Sequence, residues 1–296
     1  MRGARGALAA IALITGLGLL LAGCKDEPTV RVPVVTDDGD GAKDAALVVA
    51  RFEALDLPAR AEDVGARSFT LILTAEGAAF SDLATVLAPG ALEVRAAAAD
   101  QAPVLPTDAE REAGVARDDP GFFHQGMHPA ASWRSEDALR AALAARPPLP
   151  GGAVVGVSEE AVGDDPGAPK GVRWVPVVLA GPPAIGPGDI SAARSEVGPN
   201  GEPVVVITMT DAGRARFADF TGAHVDENVA VVLDGVITSF PVVVERIDGG
   251  QASVLLSDPS VPMSRLLVRA KALAAALGTG PLTGRWRAAG AADAPK

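Results

Sequence analysis

At 296 residues the chain is long enough for two ordinary domains, and with 48% hydrophobic and 21% charged residues most of it can bury a core. A net charge of −11 with no compensating Lys/Arg-rich run repels phosphate backbones, and 4% aromatic content with no Tyr leaves no base-stacking platform, so nucleic acid is excluded as a partner. Cysteine occurs once, which excludes an internal disulfide framework and a thiolate metal site.

Arg2 and Arg5 precede an apolar stretch, Ala7 to Leu20, too short for a comfortable bilayer span and of the length of a signal-peptide core. It runs into LAGC, residues 21–24, which resembles the lipobox of bacterial lipoproteins: small Ala22 and Gly23 fit a peptidase cleft and Cys24 supplies a thiol for acylation. The expectation is a signal peptide over residues 1–23 and acyl chains, palmitate among them, on Cys24; the alternative is an ordinary secretory signal with a chance cysteine. Cleavage would remove Arg2 and Arg5 and leave the protein more acidic, so that lipid rather than a basic patch would hold it at a membrane. No later stretch has 18 or more apolar residues.

Residues 24–43 mix charges, prolines and glycines and are expected to form a linker. From Asp44, a candidate cap, the residues Ala45, Val48, Val49, Phe52 and Leu55 share one helical face. Phe69, Leu71 and Leu73 alternate as a half-buried strand over 68–74; Leu83, Val86 and Leu87 mark a short helix capped by Ser81 and stopped at Pro89-Gly90; 91–97 reads as a second strand. Residues 99–151 are polar and punctuated by Pro and Gly, apart from a helix over 135–145 with Ser135 as cap. Strands follow at 153–158 and 172–180, the second displaced toward a sheet edge by Pro176. After a turn and a brief helix or extended segment over 186–197 come a β-branched strand at 204–209 and a helix capped by Thr210 that ends near Gly222. Two apolar runs around Asp234-Gly235 and a strand at 251–256 then give three antiparallel strands. Leu266, Ala270, Leu273 and Leu277 form one face of a final helix that stops at Gly278, and 286–296 is a frayed tail.

Asp234-Gly235 has the composition of a type I′ turn, in which both central residues take positive φ; no partner acid or base accompanies Asp234, so it turns the chain and does no chemistry. Pro241 removes a ladder donor, which places its strand at an edge or at a bulge. His124 and His128 have the i, i+4 spacing of zinc ligands on a helix, but Gly126, Pro120 and Pro129 oppose a helix and no third ligand is spaced to join them. His224 sits at a helix end as a dipole partner. Ser158 lacks a nucleophile-elbow context, and no nucleophile, base and orienter occur together, so neither an enzyme nor a metal or other cofactor is expected.

From about Val178 to Leu277 the chain resembles the first periplasmic domain of the SecD family, the proton-driven accessory subunit of the bacterial Sec translocon. The stretches LAGPPAIGPGDISAA, PVVVITMTDAGRARFADFT, VAVVLDGVITSFPVVVERIDGG and LLVRAKALAAALGTGPL carry the resemblance in order, with VVARFEALDLPAR, SFTLILT and ALEVRA fainter upstream. The resemblance implies an α+β fold with mainly antiparallel sheets: a ferredoxin-like base over 44–98 and 259–285, and an inserted α+β head over 99–258. It makes Asp234, Gly235, Pro241, Gly249 and Gly250 structural positions and none of them catalytic. SecD continues into a transmembrane bundle with a proton path, whereas no membrane-embedded carboxylate is expected here. The implied protein is a head-and-base module, lipid-anchored in a bacterial envelope and facing the periplasm. Its ligand would be unfolded exported polypeptide, or Sec translocon subunits, held by apolar surface or by an open sheet edge near Pro241. A scaffold for a folded envelope partner is the second reading, and a hydrolase with a hidden carboxylate pair the third.

Overall fold

A computed structural model describes residues 29–80, 82–119, 130–162, 171–199, 201–256 and 261–289; the expected signal peptide with Cys24, the candidate cap Ser81, and His124 and His128 lie outside the described residues. In chain order the first elements are β1 (Thr29–Thr36), α1 (Gly41–Glu53), β2 (Ala59–Glu62), β3 (Ser68–Thr74), α2 (Ala75–Ala79), α3 (Leu83–Leu87), β4 (Leu92–Ala96), α4 (Asp108–Glu112), β5 (Ala116–Asp119), β6 (Ala130–Trp133) and α5 (Glu136–Ala144). There follow β7 (Val154–Val162), β8 (Gly171–Leu179), β9 (Ile190–Val197), β10 (Pro203–Met209), α6 (Asp211–Ala223), β11 (Val229–Leu233), β12 (Val236–Ser239), β13 (Gln251–Leu255), α7 (Met263–Thr279) and β14 (Trp286–Ala288). The chain divides into two units: one holds the described residues up to Pro89, Val197–Pro203 and those from Leu256, the other Gly90–Glu196 and Val204–Leu255.

The first unit is built on a four-stranded sheet in the order β14-β1-β3-β2, antiparallel throughout. With α1 after β1 and α7 before β14, this is the βαββαβ arrangement of a ferredoxin-like fold, interrupted between its third strand and second helix. Its first strand occupies residues expected to be linker. Val30, Val32 and Val34 do alternate, and Pro33 is accommodated because even-numbered positions bond toward β3, as Thr36 N–H does to the Arg67 carbonyl at 3.1 Å, while the Pro33 carbonyl faces the other way and accepts from Ala289 N–H at 2.8 Å. Residues 286–288 likewise form β14 rather than a frayed tail, and the strand β4, expected in the base, lies in the second unit.

Helix α1 starts at Gly41, where Asp40 accepts from Ala42 N–H at 3.1 Å and so takes the capping role expected of Asp44. Asp44 is instead fully buried: its carboxylate accepts from Thr283 N–H at 2.9 Å, the Thr283 hydroxyl at 2.6 Å and Trp286 Nε1–H at 2.7 Å. Val48 and Phe52 on the same helix pack with Phe69, Leu71, Leu73, Leu282 and Trp286, each fully buried side chain contributing about 1.5–3 kcal/mol. The buried Arg51 guanidinium donates to the carbonyls of Val86, Ala88, Pro89 and Gly280, which satisfies acceptors left open where α3 and α7 end.

In the second unit a seven-stranded sheet runs β4-β11-β12-β7-β8-β6-β5. Its first strand also bonds to the end of β8: Ala98 N–H donates to the Val178 carbonyl and Ala180 N–H to that of Ala96, both at 2.9 Å. Strands β4, β11, β12, β7 and β8 thereby close into a small barrel filled by Val177, Leu179, Ala230, Val232 and Ile237. Gly156 faces this interior, and a Cβ there would come within 2.8 Å of Ile237 and Leu179. Contrary to expectation, β8 is not an edge strand; it pairs with β7 along its length and touches β6 at Trp133–Trp174. Pro176 is tolerated because Val178 and Ala180 turn their main chain toward Gln101 and β4, so position 176 bonds away from β7 and needs no donor there.

The expected run of three antiparallel strands after α6 is also split. β12 pairs antiparallel with β11 and parallel with β7, and β13 leaves to join β10 and β9 in a separate sheet ordered β13-β10-β9.

Candidate functional site

Asp234 and Gly235 have φ of 53° and 82°, the pair of positive values that a type I′ turn requires. Asp234 also ties this turn to the chain before β4: its N–H donates to the Ala91 carbonyl at 2.9 Å and its carboxylate accepts from Ala91 N–H at 2.8 Å. β12 then stops at Ser239, with the register shifting opposite Val231 and Val232 so that Thr238 is the extra residue of a bulge. Pro241 follows the strand and is exposed. The edge expected near Pro241 is absent, since β12 is flanked by β11 and β7. Gly250 has φ 67° and gives its carbonyl to Met209 N–H at 2.9 Å, while Gly249 meets nothing that would exclude a side chain.

Between this turn and β13 the segment Pro241–Ile247 crosses beside residues 226–229, held by Val229 N–H to the Pro241 carbonyl at 3.0 Å and Val243 N–H to the Glu227 carbonyl at 2.9 Å. Ile247 N–H donates to the buried Thr221 hydroxyl of α6 at 2.9 Å. Arg246 bridges Asp248 at 2.8 Å and Asp219 at 3.2 Å, and the hydrogen bonds it donates to Asp248 and then Asp219 raise its pKa above the ordinary arginine value. The segment is thus fastened to α6 while three of its aliphatic side chains stay in water: Val242, Ile247 and, at 81% exposure, Val244.

Below it opens an apolar cleft of about 460 Å³, within the range of ligand sites. Its deep surface is Val94, Ile185, Met209, Phe217 and Val229, all buried; its rim is Val242, Val244 and Ile247, with Ala252 and Val254 of β13 on the other side. β13 contributes more than side chains. Met209 N–H to the Gly250 carbonyl and Leu256 N–H to that of Pro203 fix residues 250, 252, 254 and 256 as those facing β10. Gln251, Ser253 and Leu255 therefore turn their amides and carbonyls outward, and among the described residues no strand pairs with them. An unpaired ladder beside an apolar cleft can accept an extended chain by strand addition, with alternate side chains entering the cleft.

The sequence pointed to the Asp-Gly turn and to a sheet edge, but not to Val242, Val244, Ile247 or Leu255. The available signal was PVVVERI, an apolar run directly after a proline that ends a strand. Asp189 was missed too: buried, it accepts from Gly186 N–H at 2.9 Å and pairs with Arg216, docking the segment before β9 on α6. His224 directs Nδ1 to the Glu227 carboxylate at 2.6 Å and packs on Phe220 with ring centroids 4.5 Å apart. Among the described residues no group of His, Cys, Asp and Glu is arranged to hold a metal ion, and no helix is long and apolar enough to cross a membrane.

Comparison with known proteins gives a consistent result. The family described as the SecDF P1 head subdomain matches residues 170–283, which include α6, β13 and most of the cleft lining, though not Leu92 and Val94. The protein translocase subunit SecD of Rhodothermus marinus is 43% identical over 65 residues, covering 22% of this chain and 10% of the relative. The protein translocase subunit SecDF of Thermus thermophilus is 35% identical over 74 residues, 25% of this chain and 10% of the relative. A crystal structure of SecDF in a form called super-membrane-facing aligns with 88% of this chain and 29% of its own, with a TM-score of 0.52 at 20% identity, a likeness of fold. The chain carries a SecD-like domain, and the stretch it shares spans a tenth of each of these two relatives.

Proposed function

We propose that the SecD-like domain serves protein export by holding an extended stretch of translocating polypeptide against the free edge of β13, with apolar side chains of that stretch in the adjoining cleft. The observation that supports it is the coincidence of an unpaired ladder at Gln251, Ser253 and Leu255 with an apolar cleft lined mostly by residues of the region that matches the SecDF P1 head. Main-chain bonds to such an edge are indifferent to sequence, which suits a binder of many unfolded chains, and aliphatic pockets add affinity for apolar stretches. In this reading acyl chains on Cys24 tether the protein in a bacterial envelope, the domain faces the periplasm, and Sec translocon subunits are its neighbours.

A photo-crosslinking residue at Ser253 tests the proposal in growing cells, with one at exposed Arg60 as control. Adducts with exported precursors or translocon subunits from position 253 alone are expected. Adducts with neither refute the proposal, and adducts with one folded envelope protein, with export unchanged on deletion, replace it with the scaffold reading.

A further inference from the structure

The cleft has one ionisable residue in its lining, Glu245, on the exposed Pro241–Ile247 rim between Val244 and Arg246. Asp219 and Asp248 are engaged by Arg246 and Glu227 by His224, while Asp226, whose N–H bonds the Val243 carbonyl of the rim, has no cation partner among the described residues and lies outside the cleft lining. Glu245 has no ion pair or hydrogen bond among the described residues. Arg246, its neighbour, is held by two carboxylates and does not neutralise it. An uncompensated carboxylate thus stands at the rim of an apolar cleft, on a chain of net charge −11 whose field draws cations and repels acidic segments.

We infer that Glu245 makes the cleft selective for apolar segments flanked by Lys or Arg over equally apolar segments flanked by neutral or acidic residues. This rests on the cleft being the polypeptide site proposed above and adds the class of segment it takes. The ligand's apolar residues fill the space lined by Val94, Met209 and Phe217, and a flanking ammonium or guanidinium pairs with Glu245 in water at the rim. A solvent-exposed pair of this kind changes affinity by about 1.5- to 5-fold and weakens as salt is added. It therefore sets preference, while the apolar contacts and the β13 ladder set most of the binding.

The test uses the full chain and fluorescent peptides with one Val/Leu core flanked by Lys, Gln or Glu, measured by anisotropy at low salt. Lys-flanked peptide should bind about 1.5- to 5-fold more tightly than Gln-flanked, and Glu-flanked peptide the least. Glu245→Gln should remove most of the Lys-over-Gln preference, leaving the small part set by the net charge of the chain, and Glu245→Lys should reverse the order. A preference absent from the wild type, or intact in Glu245→Gln, overturns the inference while leaving the cleft as the site. If no peptide binds, the cleft reading fails with it. A dimer of the chain that Val244→Asp dissociates would assign the cleft to a second copy and overturn both.

Discussion

Asp44→Ala removes the acceptor that joins α1 to the segment after α7. Trp286 is 2% exposed, so its Nε1–H, 2.7 Å from Asp44, finds neither water nor another acceptor once the carboxylate is gone. An orphaned buried donor costs about 1–3 kcal/mol. Thr283 is exposed and its amide and hydroxyl can turn to water, so each lost bond costs only about 0.5–1.5 kcal/mol. Asp44 sits in the first turn of α1, where a carboxylate is worth about 0.3–1 kcal/mol, and the better helix propensity of Ala offsets that by about 0.5 kcal/mol. The expected loss is about 2–6 kcal/mol, a large part of the roughly 5–15 kcal/mol that holds a domain folded. Urea unfolding followed by far-UV circular dichroism, fitted with two transitions for two units, measures it. A double-mutant cycle with Trp286→Phe isolates the indole bond: that substitution should cost about 1 kcal/mol or more less in the Asp44→Ala background than in the wild type. A loss below about 0.5 kcal/mol, or additive costs, would refute the reasoning.

Two other outcomes are expected. Burial of Glu110 opposes its ionisation, but the Thr107 backbone N–H and hydroxyl and then Arg146, at 3.0 Å, outweigh it and hold the carboxyl below its ordinary range. A depressed folded-state value contributes stability that is present above the unfolded pKa of about 4.3 and is lost as pH falls through the lower folded value. The wild type should therefore lose stability below about pH 4.3 more steeply than Glu110→Gln, which keeps the capping geometry; parallel pH profiles would contradict this. Cys24→Ser should move the protein from the membrane fraction to the soluble fraction on cell fractionation, and continued sedimentation with membranes would dismiss the lipid anchor.

Elements whose signals are local could be read directly. The caps Thr210 and Ser135 accept from Gly213 and Ala138 N–H, as their positions predict, and the alternation over 68–74 is a strand. The reading failed where a local signal had two meanings. Pro33 and Pro176 signal a broken or displaced strand, yet each lies where the missing N–H points away from the strand paired along the element's length, β3 for Pro33 and β7 for Pro176. Asp44 at the start of a helical pattern looks like a cap, and only the return of Thr283 and Trp286 makes it a buried hub.

The chain by itself determined where it turns, which faces of its helices are apolar and that Asp234-Gly235 reverses it, because backbone sterics and short-range periodicity act within a few residues. Tertiary structure alone decided that β13 pairs with β10 instead of β12, that β4 closes a barrel with β8, and that one cleft draws on Val94, Ile185, Met209, Val229 and Val244. A strand's apolar pattern fixes which side is buried but not which neighbour takes its hydrogen bonds. That choice follows from packing among residues far apart in sequence, and it leaves the edge of β13 unpaired beside the cleft.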